Sequence, residues 1–128
     1  MTLAQLIHGG VFDRFPSLKV YFAESEVSWL AGWLEYIDEF YARWAPFHGL
    51  ELSKMPSEYF REHIYLTFQD DWVAFQMKNL CNPRRLMWAN DFPHSDSTWP
   101  YSQELLAKHT TNLTEEEKNW ILHDNVAE

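Results

Sequence analysis

The chemistry-bearing residues of this chain gather between residues 86 and 100. A short apolar run, Leu86-Met-Trp-Ala89, gives way at once to Asn90-Asp91-Phe92-Pro93-His94-Ser95-Asp96, with Trp99-Pro100 behind it. Asp91 and Asp96 offer carboxylate oxygens and His94 an imidazole. These are the groups that transfer protons near neutral pH and that ligate divalent cations. The apolar run reads as a buried strand, and Pro93 takes the chain out of a sheet. Acids and an imidazole at the carboxyl end of a buried strand occupy the place where α/β enzymes keep their chemistry. A plainer reading stands beside this one. An Asp ahead of a Pro-containing turn caps backbone N–H groups, and His94 is then an exposed loop residue.

The elements that must position this stretch can be read from its surroundings. Leu3, Leu6, Ile7 and Val11 have helical spacing, interrupted at Gly9-Gly10 and ended by Pro16. Residues 18–23 predict a strand rich in β-branched and aromatic side chains. Val27, Leu30, Leu34, Ile37, Tyr41 and Trp44 repeat at helical spacing, thickened by Trp29, Trp33, Tyr36 and Phe40. That pattern predicts a long helix buried on a wide face and closed by Pro46. Residues 48–55 read as a loop, Pro56 opens a helical turn, and residues 64–68 predict a second strand. Asp70 and Asp71 supply a cap for a helix running through Trp72, Val73, Gln76, Met77 and Leu80. Residues 86–89 form the third strand and residues 102–108 a helix. Thr114-Glu-Glu-Glu117 is a capping box for a last helix through Trp120, Ile121 and Leu122.

Alternating strands and helices imply an α/β fold with parallel strands and right-handed crossovers. No linker or internal boundary shows in the sequence. Three parallel strands leave two open edges, and seven Trp and nine Phe in 128 residues want more cover than such a sheet provides. The composition therefore predicts that the chain alone is not a compact monomer. It calls for a homo-oligomer or for a missing part.

The formal net charge of −9 argues against nucleic acid and anionic membrane as partners. A single cysteine, Cys81, rules out an internal disulfide and points to the cytoplasm. No apolar run has the length of a membrane span.

The block Trp88-Ala-Asn-Asp-Phe-Pro-His-Ser-Asp-Ser-Thr-Trp-Pro100 resembles the last barrel strand and loop of the amidohydrolase-related family. Gly10-Val-Phe-Asp-Arg-Phe-Pro16, Phe22-Ala-Glu24, Pro56-Ser-Glu-Tyr-Phe-Arg61 and Thr67-Phe-Gln-Asp70 resemble family pieces in family order. That family consists of metal-dependent (β/α)8 TIM barrels, among them aminocarboxymuconate-semialdehyde decarboxylase-like enzymes. The resemblance implies that residues 1–128 are the C-terminal fragment of such a barrel, about its last three βα units. It implies a hydrolase or carboxy-lyase acting on a small carboxylic-acid or amide-type substrate, and inactive as this fragment alone.

By the same resemblance Asp91 is the metal ligand and proton-transfer group, with His94 in its loop as a further catalytic candidate. Imidazole and carboxylate donors suit zinc. The family's first-strand His-x-His pair and fifth-strand His are not in this chain, so the metal site is expected to be incomplete here. Glu24 stands where many members carry His. It is a base or an orienting group, or else an acid near the start of the next helix. Trp88 and Trp99 either line a pocket for a planar acid or simply pack. His8 and His63 read as packing residues, and His48, His109 and His123 as loop or helix-end residues. The competing function is a truncated, non-catalytic relative that serves as a self-associating interaction module.

Overall fold

The computed structural model describes residues 2–128. The chain divides into two compact units. One runs to Val20 and resumes over Leu30–Ile64; the other comprises Tyr21–Trp29 and Tyr65–Glu128. The divisions fall within the first two strands and at the start of the long helix, so no change of composition marks them.

The first unit is helical: α1 (Thr2–His8), α2 (Val11–Arg14), α3 (Leu30–His48) and α4 (Pro56–His63). Gly10, at φ 65°, makes the left-handed turn that α2 needs to start directly after α1. Leu3, Ile7, Phe12, Leu30, Leu34, Ile37, Tyr59 and Phe60 are buried. His63 is a packing residue, stacked on Phe12 with ring centroids 4.6 Å apart and its Nδ1 2.8 Å from the Leu18 carbonyl oxygen.

Two expectations for α3 need correction. Pro46 does not close the helix but lies inside its last turn. The stop is Gly49 at φ 61°, after which the Leu50 N–H donates to the Ala45 carbonyl at 3.1 Å in a Schellman arrangement. The buried face is also narrower than the aromatic pattern suggested. Tyr36, Phe40, Trp44 and Phe47 are exposed, forming a ladder of rings 6.1–6.4 Å apart along one flank.

Asp13 links these helices to the segment between α3 and α4. It accepts from the Tyr59 hydroxyl and from Ser53 Oγ at 2.7 Å. The Tyr59 bond, with that from Ser53, holds the Asp13 carboxyl below its usual range. A depressed folded-state value contributes stability that is present above the unfolded value and lost as pH falls through the folded one. Tyr59→Phe, which removes the larger cause, is expected to start acid unfolding at higher pH than wild type. Circular dichroism followed down a pH series reads this directly, and coincident curves would mean that Asp13 does not report on folding.

The sheet has order β1-β2-β3, made by β1 (Val20–Phe22), β2 (Ile64–Phe68) and β3 (Leu86–Trp88). It is small and parallel, with Leu66 opposite Leu86 and Phe68 opposite Trp88. β2 has the bounds that its sequence predicted, while β1 and β3 are shorter. The second unit adds α5 (Trp72–Gln76), α6 (Lys78–Cys81), α7 (Ser102–His109), α8 (Glu115–Asn119) and α9 (Asn125–Ala127). The helix expected through Leu80 is broken at Met77, whose carbonyl accepts from both Leu80 and Cys81. Thr114 and Glu117 form the expected capping box, but the last helix passes through a π-helical turn at Trp120–Asp124. Phe68 and Phe75 meet edge to face at 5.0 Å in the core with Leu66, Leu86 and Ile121. No helix among the described residues is long and apolar enough to cross a membrane.

Candidate active site

A cavity of about 540 Å³ opens in the second unit at the carboxyl ends of the three strands. Its wall includes Tyr21, Ala23, Glu24 and Glu26 after β1, Thr67, Phe68 and Gln69 at the end of β2, and Ala89, Asp91, His94, Ser95 and Asp96 after β3. Among the described residues four non-glycine residues have positive φ, and three of them lie on it: Glu24 at 49°, Glu26 at 48° and Asp91 at 59°. Such conformations cost about 1 kcal/mol or more each and persist where the surroundings over-determine them, which is characteristic of functional sites.

The surroundings are specific. The Glu24 N–H donates to Thr67 Oγ1 at 2.8 Å, and the Ser25 N–H to the Thr67 carbonyl at 3.3 Å. Asp71, which is buried, reaches back to the same loop. Its Oδ2 accepts from the Val27 and Ser28 N–H groups, both at 2.7 Å, while Oδ1 accepts from Ala74 N at the start of α5. With those amides held by a carboxylate outside the helix, α3 starts at Leu30 rather than Val27.

The loop after β3 is fixed in the same way. Asn90 accepts from Phe92 N through Oδ1, and its carbonyl accepts from Ser97 Oγ at 2.6 Å and Thr98 N at 3.1 Å. The Phe92–Pro93 and Trp99–Pro100 peptide bonds are cis.

Within this frame Asp91 Oδ1 lies 2.8 Å from His94 Nδ1. Glu24, Asp91 and His94 each bring one potential ligand atom to within 4.8 Å of the others. Two oxygens and one nitrogen are donor types that divalent transition cations accept, so these residues fit the metal that the resemblance implied. Four lining residues are carboxylates and none is Lys or Arg, which makes the cavity attractive to cations.

The three residues proposed as catalytic from sequence thus come together. The two tryptophans do not join them. Trp88 donates its indole N–H to the Gln69 carbonyl at 2.8 Å, and Trp99 packs edge to face on Phe92 at 5.2 Å. Neither lines the cavity, whose aromatic wall is made by Tyr21 and Phe68.

Glu26 escaped the sequence reading. Burial pushes its carboxyl above the usual range, with the like charges of Asp71, Asp70 and Asp96 adding to the effect. Its Oε1 accepts from Gln69 N at 3.4 Å, and Oε2 has no hydrogen-bond partner. Asp96 is held by Gln69 Nε2 at 3.2 Å. Nothing in the local pattern Glu24-Ser-Glu26 distinguishes one acid from the other; the fold separates them, leaving Glu24 exposed and Glu26 half-buried.

The amidohydrolase family model matches residues 2–128. The chain belongs to the amidohydrolase family. No curated protein matches the sequence. Among solved structures, a 5-carboxyvanillate decarboxylase from Sphingomonas paucimobilis is 26% identical, with a TM-score of 0.79 over 97% of this chain and 37% of its own. A dihydroxybenzoic acid decarboxylase from Polaromonas sp. JS666, with bound manganese and the inhibitor 2-nitroresorcinol, is 19% identical, with a TM-score of 0.74 over 97% of this chain and 37% of its own. An amidohydrolase from Mycobacterium avium subsp. paratuberculosis is 18% identical, with a TM-score of 0.81 over 98% of this chain and 31% of its own. This amidohydrolase-family chain thus spans just over a third of the length of the decarboxylases it matches, and its fold is a partial TIM barrel.

Proposed function

We propose that this chain forms part of the catalytic face of a metal-dependent carboxy-lyase acting on a small aromatic carboxylic acid. The observation that carries the reading is the convergence of Glu24, Asp91 and His94 at the carboxyl ends of parallel strands. Likeness to decarboxylases of substituted benzoic acids supports the substrate class, and the manganese in one of them supports a divalent cation. The relatives lend this support to manganese and none to the zinc that the donor types suit, so manganese is the cation proposed here.

The cation, when bound, stabilises negative charge on substrate oxygens. This chain's residues do the rest. Asp91 ligates the cation and carries a proton. Glu24 and His94 are the acid–base groups at its side. Loss of CO2 leaves the bonding electron pair on the ring carbon, and a proton must be delivered to that atom. A side chain within hydrogen-bond reach accelerates such a delivery by about 10²- to 10⁴-fold. Tyr21 and Phe68 offer apolar surface to a planar ring.

The test is a panel of hydroxylated and methoxylated benzoic acids given to the complete, manganese-loaded enzyme, with CO2 release and the decarboxylated product measured. Release of CO2 from at least one is expected. Turnover of amide substrates alone would replace this reading with hydrolysis. The 128-residue chain by itself is expected to be inactive in the same assay. The reading as a self-associating interaction module finds no support among the relatives.

A further inference from the structure

Along α3 the rings of Tyr36, Phe40, Trp44 and Phe47 follow one another every three or four residues, on the side of the helix away from Leu30, Leu34 and Ile37. The helical unit leaves them exposed, although α3 already has neighbours there. The His8 ring of α1 lies 6.0 Å from Phe40 and 6.1 Å from Tyr41, and Asp38 Oδ1 accepts from the Ser57 N–H of α4 at 2.8 Å. We propose that this stripe is a two-fold interface, on which α3 of a second copy of the chain packs antiparallel with the axis beside Phe40. The inference goes beyond the active-site reading and does not rest on it.

The charges on the stripe suit a second copy. Arg43 is the single Lys or Arg of α3, and Glu39 lies one turn before it; neither makes an ion pair among the described residues. A two-fold axis matches residues counted equally to either side of it. With the axis beside Phe40, Tyr36 of one copy faces Trp44 of the other. Glu39 comes to the level of Tyr41 in the other copy, about 3 Å along the helix from Arg43 and on the same side of the contact. Two Glu39–Arg43 pairs then flank the axis, and no like charges face each other across it.

Area and shape agree with this occupant. Aromatic side chains bury about 150–250 Å² each, and these four are 40–78% exposed. They therefore offer roughly 400–500 Å² of ring surface, the larger part of the about 800 Å² per partner that a stable interface buries. A hollow of about 80 Å³ between Tyr36, Phe40, Arg43 and Trp44 gives the tip of a facing ring a place to enter. Gly32 lies on the same stripe, one turn before Tyr36. A Cβ there would meet nothing within 4 Å, so packing inside the chain does not demand a glycine, which is costly in a helix interior. Phe47 of the second copy, the most exposed of the four rings, arrives within one residue of that level.

Sedimentation of the complete enzyme over a range of concentrations reads the pairing. The wild type is expected to run as a dimer, or as an assembly with an even number of copies, at micromolar concentration. Phe40→Glu brings two like charges together at the axis and should weaken pairing by about 100-fold or more, halving the sedimenting mass. Phe47→Glu, at a ring 78% exposed and so of little weight for folding, should act in the same direction. Glu39→Arg and Arg43→Glu should each weaken pairing by about tenfold, while the double variant, which restores opposite charges across the axis, should return to within about threefold of wild type.

A wild type that stays monomeric at about 100 μM would overturn the inference. So would unchanged association in both Phe40→Glu and Phe47→Glu, or a double charge variant that pairs no better than the single ones. If the two ring variants keep the wild-type mass but melt at lower temperature, another part of the same enzyme covers the stripe, and the inference fails. CO2 release tests the active-site reading separately, so the failure of one does not carry the other with it.

Discussion

Asp91→Asn in the complete enzyme is expected to lower kcat by about 10²-fold or more while leaving the fold intact. Asparagine has the same shape as aspartate, keeps one carbonyl oxygen, and still accepts from His94. It lacks the charge that holds a cation and the basicity that carries a proton. Asp91 is suited to both tasks because the backbone at φ 59° turns its carboxylate onto the cavity wall, and because the chain beyond it is tied down by Asn90, Ser97 and Thr98. The decisive measurement is kcat alongside metal content. A variant with normal turnover and a full complement of metal would make Asp91 a turn-capping residue only. Asp96→Asn is the control from the same loop. Its carboxylate accepts from Gln69 and stands outside the converging trio, so its effect on kcat should be much smaller.

The second large effect is on stability. Asp71→Ala is expected to cost about 3–5 kcal/mol, because it removes one partner from several hydrogen bonds and leaves the buried Val27 amide without its acceptor. The carboxylate is 7% exposed and accepts from three backbone N–H groups, two of them in the loop that carries Glu24. After truncation the amides of Val27 and Ser28 lose the acceptor they share and must hydrate or move. Asp71→Asn retains one acceptor oxygen and should lose roughly half as much. Asp70→Ala, at a side chain 65% exposed, should be close to neutral. Urea unfolding of the three variants beside wild type separates these cases. Equal midpoints for Asp70→Ala and Asp71→Ala would show that Asp71 is no more than a surface cap.

Much of this architecture was legible in the chain itself. The run Ile64-Tyr-Leu-Thr-Phe68 is β-branched and aromatic, bounded by a helix and by acids, and it is a strand over those same residues. Thr114 and Glu117 announce a capping box, and they form one. Patterns fail where a local signal competes with a tertiary one. Pro46 is a local stop signal, but in the last turn the helix continues past it to Gly49. Val27 has the periodicity of α3, yet its amide belongs to Asp71, 44 residues away. The aromatic stripe on α3 has the spacing of a buried face, but spacing records which residues share a side, not what covers it.

The same division runs through the site. The sequence by itself determined the chemical alphabet: a carboxylate and an imidazole in a turn directly after an apolar strand, an acid after the first strand, and an overall negative charge that argues against nucleic acid and anionic membrane as partners. These follow from residue type and nearest neighbours, which periodicity and turn chemistry encode. Only the tertiary structure decided which of these groups meet. Glu24 and Asp91 are far apart in sequence and adjacent in space because β1, β2 and β3 lie side by side and end at one cavity. Trp88 and Trp99, near Asp91 in sequence, stay off its wall because one indole bonds the Gln69 carbonyl and the other packs edge to face on Phe92. Glu26 is more buried than Glu24, and burial is a property of the folded surface that no short stretch of sequence contains.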